Sequence, residues 1–337
     1  MKKHLPLLLV GCILLGGCSN VNTQDPLNIG GNSSQTVSAE NVSNINAARD
    51  SENVKFKYEK PQTEQKPVGI YNYAAAEISQ DSFLKLFSGE PTCEKETFPI
   101  GFRDEYSCAD EEGVIMNRNG LLSVDYNTAQ GFNCFVIAHG EEDPDRNTEF
   151  DFISRNEIAE KLTETVKNLL GIDIRITIDA VTAERFSRDA AEYVKALAEL
   201  NDNPPNVEKY GTPADYYSVS ITQVIEGIPI DGMTGAAVFT AAGMEYLSFY
   251  APMKVLEKVG GGDSLIDLDG AEQLLKNKYD MLFLDSPVEV TSGELTYIVN
   301  ESKLTPVWKF NFFGGLTEYY DAYTGKEIAV YAAGEGA

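Results

Sequence analysis

The chain has 337 residues, and its 52 acidic and 27 basic residues give a formal net charge of −25 at pH 7. A protein this acidic is repelled by nucleic acid and by anionic lipid head groups, so we expect no nucleic-acid partner. Its 43% apolar residues are sufficient for a packed core. The charge favours a solvated protein outside the cytoplasm or one with a cationic partner.

Residues 1–17 have the composition of a secretory signal peptide. Lys2 and Lys3 precede an apolar run over residues 5–15. As a helix this run spans only about 16 Å, which is roughly half of a bilayer core. It therefore predicts export rather than a membrane-spanning anchor.

The segment Leu15-Gly16-Gly17-Cys18 resembles the bacterial lipobox. The resemblance implies cleavage after Gly17 and transfer of diacylglycerol to the thiol of Cys18. Two or three acyl chains anchor a protein stably, so we predict attachment through N-terminal lipid to the extracytoplasmic face of the cell membrane. The alternative is an unlipidated signal peptide with a cysteine that occurs there by chance.

The segment after Cys18 is rich in Asn, Ser, Gln, Thr and Glu and poor in apolar residues. Such a composition cannot bury enough apolar surface to offset the entropy cost of ordering. Residues 18–66 are therefore predicted to be a lipidated N-terminus and a disordered tether, with a mean reach of about 40 Å.

The next part of the chain combines one helical pattern with strand patterns. A short helix is predicted over 73–87 and a strand over 132–138. Between them, 114–126 is predicted to form a hairpin that turns at Asn119-Gly120, because this dipeptide suits a two-residue turn.

The clearest helix signal begins at Ser154, which forms a capping box with Glu157. Apolar residues then recur at helical spacing up to Gly171, the expected C′ residue. Alternating isoleucines over 172–178 predict a strand with one buried face. A second helix is expected over 183–200 and another strand over 217–225.

The C-terminal part has a similar order of elements. A hairpin is predicted over 236–250, with a turn near Ala242-Gly243, and then a helix with Asp269 as N-cap and Glu272 at its third position. Four strands are expected after the helix, at 287–299, 306–313, 317–323 and 326–331.

These patterns predict an α+β fold in which antiparallel sheets are packed by helices. Because hairpin, helix and strands occur twice in the same order, we interpret them as a duplication. The first unit is assigned to 67–230 and the second to 231–337. The alternative is that this order, which is common in α+β proteins, occurs twice by chance.

Two segments resemble strands of propeptide and PepSY-type domains. They are Val224 to Ile230, which contains Gly227-Ile228-Pro229, and the run from Pro306 to Ile328, which contains Thr324-Gly325-Lys326. The chain is also similar to uncharacterised lipoproteins of Gram-positive bacteria. The resemblance implies two PepSY-like repeats and a role as an inhibitor or sensor rather than as a catalyst.

Three cysteines follow Cys18 in the predicted mature chain, so at most one internal disulfide can form. Cys93 and Cys108 lie in a polar stretch and are the preferred pair, whereas Cys134 has the surroundings of a buried strand thiol. The alternative is that all three are reduced core residues.

Oxygen-bearing side chains at alternate positions of 143–151 are typical of the first half of a calcium-binding loop. The candidate ligands are Asp143, Asp145, Asn147, Glu149 and Asp151. Thr148 replaces the usual turn glycine, and Ser154 stands where a bidentate glutamate is expected. The alternative is a solvated acidic loop whose last residue, Ser154, caps the following helix.

The predicted mature chain has one histidine, His139, and contains no metalloprotease, nucleophile-elbow, P-loop or dinucleotide motif. We therefore expect a non-catalytic binding or regulatory lipoprotein with an extracytoplasmic protein partner and no cofactor. The alternatives are a surface hydrolase that uses carboxylates and a weak calcium site, and a solute-binding lipoprotein with two parallel α/β lobes.

Overall fold

The structure is a computed structural model that describes a large part of the chain between residues 50 and 328. The described residues are 50–60, 68–76, 92–96, 105–109, 113–118, 121–126, 144–188, 191, 195, 214–262 and 264–328.

Most of the regular secondary structure in these residues is β-strand. The strands, in chain order, are β1 (Val54–Phe56), β2 (Ile70–Ala75), β3 (Thr92–Glu96), β4 (Glu105–Ala109), β5 (Gly113–Arg118), β6 (Leu121–Tyr126), β7 (Asp173–Val181), β8 (Tyr216–Ile225), β9 (Ile228–Thr240), β10 (Gly243–Tyr250), β11 (Met253–Gly260), β12 (Val288–Asn300), β13 (Lys303–Phe312), β14 (Thr317–Asp321) and β15 (Glu327–Ile328).

Helices make up a smaller share of the same residues. They are α1 (Arg155–Leu170), a helical segment α2 that includes 183–188, and α3 (Leu268–Tyr279), with a 3-10 turn over Pro144–Asn147. In the described ranges, no helix combines the length and the apolar character that crossing a membrane requires.

The predicted fold class, α+β with antiparallel sheets packed by helices in two PepSY-like repeats, is wrong. The described strands are hydrogen-bonded into one connected sheet and dominate the fold. This sheet is mixed, because β1 and β9 each pair with β12 in parallel while the other described pairs are antiparallel. The strand content was underestimated for two reasons. Strand β1 is only three residues long and lies within residues 18–66, which were predicted to be a disordered tether, although Val54 and Phe56 are buried in the core. Strands β3, β4 and β11 carry charged residues that weaken the apolar pattern.

Several local predictions are confirmed. Strands β5 and β6 pair from Gly113 with Tyr126 to Arg118 with Leu121, as expected for the hairpin. Helix α1 has the predicted capping box at Ser154, and Gly171 ends it with φ 67°. This left-handed conformation favours glycine because it lacks a Cβ atom.

Two predicted elements differ from the structure. Ile70–Ala75 is strand β2, although the sequence pattern placed the start of a helix at 73. Helix α3 has Asp267 as its N-cap, with the side chain accepting a hydrogen bond from the amide of Gly270, so Asp269 lies in the first turn. The predicted strand at 132–138 lies outside the described residues.

Two helices cover separate parts of the sheet. The apolar side of α1, which includes Ile158, Leu162 and Val166, packs against β7 to β10 in one core. The corresponding side of α3, which includes Ala271 and Leu275, packs against Trp308 and its neighbours on β12 to β14 in a second core.

Strand β9 connects the two parts of the sheet. Its first residues pair with β8, and Ile230 pairs with Tyr297 of β12. After Gly232, which has φ 77°, the strand continues between β8 and β10. The boundary predicted between residues 230 and 231 thus falls inside β9.

Candidate functional site

Strands β12, β13 and β14 have two chemically different faces. Trp308, Phe310 and Tyr320 belong to the core under α3. Because side chains alternate along a strand, the intervening residues project from the opposite side. We call this side the polar face and define it by Ser292, Glu294, Lys309, Asn311, Thr317 and Tyr319.

The polar face consists of two rows that cross the three strands. In the first row, the Nδ2 atom of Asn311 donates to Oγ of Ser292 over 2.7 Å. The Oγ1 atom of Thr317 donates to Oδ1 of Asn311 over 2.8 Å. These cross-strand bonds fix the row and satisfy its hydroxyl and amide groups.

The second row joins Glu294, Lys309 and Tyr319, which are direct partners on neighbouring strands. Asp231 on β9 adds a carboxylate to this row. One of its oxygens accepts from Nζ of Lys309 and the other from Oη of Tyr319, each over 2.6 Å. Both oxygens of Asp231 therefore have strong donors.

Glu294 differs from Asp231, although both lie at the same row. It is partly buried, and within the described residues it makes no hydrogen bond and no ion pair within 4.0 Å. Burial raises the pKa of this carboxyl group, nearby Lys309 and Arg175 lower it, and Asp231 raises it further. The charged form is thus incompletely stabilised.

Tyr319 keeps its proton firmly. Burial raises the pKa of its hydroxyl above the ordinary value of 10.0, and the hydrogen bond to Asp231 and the negative charges of Asp231 and Glu294 raise it further. The hydroxyl consequently serves as a permanent donor to Asp231 at physiological pH.

The arrangement around Asp231 recurs in the molecule. Four carboxylates each accept a hydrogen bond from a tyrosine and contact a cationic side chain: Asp231 with Tyr319 and Lys309, Glu149 with Tyr217 and Arg155, Glu272 with Tyr58 and Lys60, and Glu318 with Tyr279, Tyr320 and Lys278. Such pairing offsets the cost of burying a charge for Glu272 and Glu318, which are buried, and for the partly buried Asp231, whereas Glu149 is exposed. It indicates a structural role for the first three groups.

The predicted calcium ligands do not converge in the described residues. Asp145, Asn147, Glu149 and Asp151 are exposed on the 3-10 turn and the residues that follow it, and Asp143 lies outside the described part. Glu149 is already bound by Nε of Arg155 at 2.9 Å. No group of three or more His, Cys, Asp and Glu residues suited to a metal ion is found in the ranges that the structure describes. Calcium stays a prediction.

The structure joins Cys93 and Cys108, the predicted pair, in a disulfide between β3 and β4. Cys108 is buried, whereas Cys93 is exposed. Cys18, Cys134 and His139 lie outside the described residues.

Sequence reasoning missed the second row of the polar face. One usable signal was Lys309, a single charge between Trp308 and Phe310 in a strand that was itself predicted. The partners of Lys309 were not detectable, because Asp231 is 78 residues away in the chain. Only the strand register brings these residues together.

Comparison with known proteins gives a likeness of fold. No family model matches the chain, and no curated protein matches it. The chain is similar to the crystal structure of an uncharacterized protein from Eubacterium rectale, with 15% sequence identity and a TM-score of 0.58. The match covers 86% of this chain and 99% of that one. At this level of identity it shows a shared fold alone.

Proposed function

We propose that the chain is an extracytoplasmic lipoprotein, anchored in the cell membrane through acylated Cys18, that binds a partner non-catalytically through its polar face. The lipobox at Leu15 to Cys18 and the short apolar run before it support the anchor.

The binding proposal rests on the unmet hydrogen-bonding capacity of the Glu294 carboxyl group. Its carboxyl group is partly buried beside satisfied neighbours but has no hydrogen-bond donor within the described residues. Because burying a polar group without a partner is costly, a ligand that brings a donor gains binding free energy there. A basic segment of another protein has this chemistry, and the net charge of −25 attracts it.

The anchor is tested by growing cells that express the protein with radiolabelled fatty acid. We expect label in the wild-type protein, whereas the Cys18→Ala variant stays unlabelled and its membrane-bound fraction falls at least tenfold. An unlabelled wild-type protein, or a variant retained in membranes as fully as the wild type, contradicts the anchor.

The binding role is tested by recovering the full chain from detergent-solubilised membranes after chemical crosslinking. We expect one stoichiometric partner with the wild type and at least tenfold less of it with Glu294→Gln. The control is Glu301→Gln, which removes an exposed carboxylate at the β12–β13 turn. A partner recovered equally with both variants, or none with the wild type, contradicts the role of the polar face.

A carboxylate-dependent hydrolase is the second candidate. It is favoured by two carboxyl groups, Asp231 and Glu294, that share one face and have different surroundings, as acid and base groups do. It also predicts a higher melting temperature with calcium. Against it, both oxygens of Asp231 are engaged by Lys309 and Tyr319. The solute-binding alternative expects two parallel α/β lobes, whereas the described strands pair mainly antiparallel.

A melting temperature unchanged by calcium, together with no hydrolysis of glycan or peptide by the wild-type protein, removes the hydrolase candidate. Hydrolysis that is unaffected by Glu294→Gln removes Glu294 as its acid or base group.

A further inference from the structure

Two loops at one end of the sheet expose large apolar side chains. The first follows α3 and the second connects β13 to β14. The exposed residues and their accessible fractions are Met281 (77%), Leu282 (45%), Phe283 (108%), Phe313 (78%) and Leu316 (54%). We call this set the apolar end.

The two loops lie next to each other. The rings of Tyr279, the last residue of α3, and Phe312, the last residue of β13, are in contact with centroids 5.6 Å apart. Met281 to Phe283 and Phe313 follow these two residues directly. In addition, the amide of Phe313 donates to the carbonyl of Glu289 over 2.8 Å, which holds the second loop against the start of β12.

Full exposure of a phenylalanine is costly, and exposed apolar residues from two adjacent loops are unusual on a solvated surface. The remaining large exposed apolar residues of the described chain lie apart from this end. Leu256 and Val259, for example, are on β11, whose neighbour β2 pairs with β13 at Leu304. Leu304 is at the opposite end of β13 from Phe312, about 26 Å away for eight residues of strand.

The start of the described chain lies at the apolar end. The Oγ atom of Ser51 donates to Asp280 over 2.7 Å. The Nδ2 atom of Asn53 donates to the carbonyls of Tyr279 and Leu282 over 3.0 and 3.1 Å. The predicted tether was 18–66, but its residues 50–60 belong to the described fold, since β1 pairs with β12 and packs in the core under α3. The chain that precedes residue 50 is therefore joined to the fold beside the exposed loops.

We propose that the apolar end is a membrane-contact surface that inserts Phe283, Phe313 and their neighbours into the interfacial region of the lipid bilayer. The proposal rests on the lipid anchor at Cys18 and is independent of the polar face. The anchor holds this end near the bilayer, and the transfer of exposed aromatic and aliphatic groups out of water supplies the attraction.

The charged residues beside the apolar end indicate whether electrostatic attraction contributes to the contact with the membrane. Lys57 pairs with Glu289 at 3.6 Å, and Asp280 accepts from Ser51. Since no excess of basic residues adjoins the loops in the described chain, attraction to anionic head groups is not the source of binding. We expect contact with neutral phosphatidylcholine vesicles that is insensitive to salt.

The test uses the full lipidated chain in phosphatidylcholine vesicles, with p-benzoylphenylalanine replacing Phe283 or Phe313 in separate variants. Matched controls carry the same photoreactive group at Leu256 or Val259. After irradiation, mass spectrometry of peptides is expected to show lipid adducts at 283 and 313 at least tenfold above those at 256 and 259. Equal adduct levels at both sets of positions contradict the proposal. So do crosslinks between two copies of the chain in place of lipid adducts.

A second measurement separates the surface from the anchor. The unlipidated Cys18→Ser chain is mixed with the same vesicles and sedimented. Phe283→Ser/Phe313→Ser is expected to reduce bound protein at least tenfold relative to Leu256→Ser/Val259→Ser, with melting temperatures unchanged. Equal binding of the two double variants overturns the membrane-contact surface, whereas a lack of acyl mass on Cys18 in the wild type overturns only the anchor.

Discussion

Buried carboxylates of this protein are stabilised by residues that are distant in the sequence. Glu318 accepts hydrogen bonds from Tyr279 and Tyr320 and contacts Lys278, which is 40 positions away. Burial alone lowers the pKa of Lys278, but its hydrogen bonds to Glu318 and Glu327 outweigh this effect and raise it. The cluster ties the end of α3 to β14.

Glu318→Gln is expected to lower the free energy of unfolding by about 1.5–3 kcal/mol, because one acceptor oxygen becomes an amide donor that faces a hydroxyl or an ammonium group. Urea unfolding measures the change. The control, Glu327→Gln, alters a carboxylate with 48% side-chain exposure that binds the same lysine, and we expect a loss below about 1 kcal/mol. Equal losses contradict a structural role for Glu318.

The raised pKa of Glu294 leads us to expect that the free energy of unfolding depends on pH. Burial raises its pKa in the folded state above the ordinary value of 4.5. Between these two pKa values the folded state binds more protons than the unfolded state, so stability decreases as pH rises through this window. Above the window, the folded state carries the full cost of the charged group.

Glu294→Gln is therefore expected to remove this decrease and to be at least as stable as the wild type at pH 7. Thermal unfolding at a series of pH values measures the slope. An unchanged slope above pH 4.5, or a variant that is much less stable at pH 7, contradicts the prediction.

At the scale of secondary structure, helix boundaries with local capping signals were predictable. The capping box of Ser154 and Glu157 depends on residues three positions apart, and Gly171 acts through its own backbone conformation. The N-cap of α3 was misassigned because both Asp267 and Asp269 are suitable. The choice is made by tertiary contacts, since Ile266 donates to Ala322 and accepts from Nε1 of Trp308. The irregular segment thus ends immediately before Asp267.

Ser154→Ala is expected to destabilise the protein by about 1 kcal/mol, because the amide of Glu157 loses its acceptor at the start of α1. Chemical denaturation measures the effect. Thr163→Ala, at an exposed position within α1, is the control and is expected to be neutral or slightly stabilising. A loss for Thr163→Ala as large as that for Ser154→Ala contradicts the capping role.

At the scale of the whole molecule, the strands of the sheet differ in how strongly packing and covalent bonds hold them in place. The path of pairing ends at β4 and β3 on one side, and the disulfide of Cys93 and Cys108 joins these two strands across a separation of 15 residues. Closing a loop of this length restricts the unfolded chain. The disulfide therefore stabilises an edge where little other packing is described.

Reduction of the disulfide, or Cys93→Ala/Cys108→Ala, is expected to lower stability by up to about 3 kcal/mol. Thermal unfolding with and without a phosphine reductant measures this loss. Cys134→Ser is the control, and its response to the reductant should match that of the wild type. A wild-type melting temperature that does not respond to reductant contradicts the prediction.

Local patterns accounted for the two capped helices, the β5–β6 hairpin and most strands after residue 172, because each depends on residues within one turn or one strand. The same patterns underestimated the sheet. Charged strands such as β11 gain their hydrogen bonds from a distant strand, β2, and this pairing leaves no periodic signal in the sequence.

The amino-acid sequence by itself determined the acidic character of the chain and the caps of α1, because these properties reside in composition or in neighbouring residues. The export signal with its candidate acceptor Cys18 is likewise a prediction from neighbouring residues. Only the tertiary structure decided the mixed sheet, the polar face and the apolar end. Strand register places Glu294, Lys309 and Tyr319 in one row, and β9 brings Asp231 to it. The packing of Tyr279 against Phe312 likewise places two exposed loops side by side. These contacts join residues that are far apart in the chain, so they depend on the whole fold and not on any local sequence pattern.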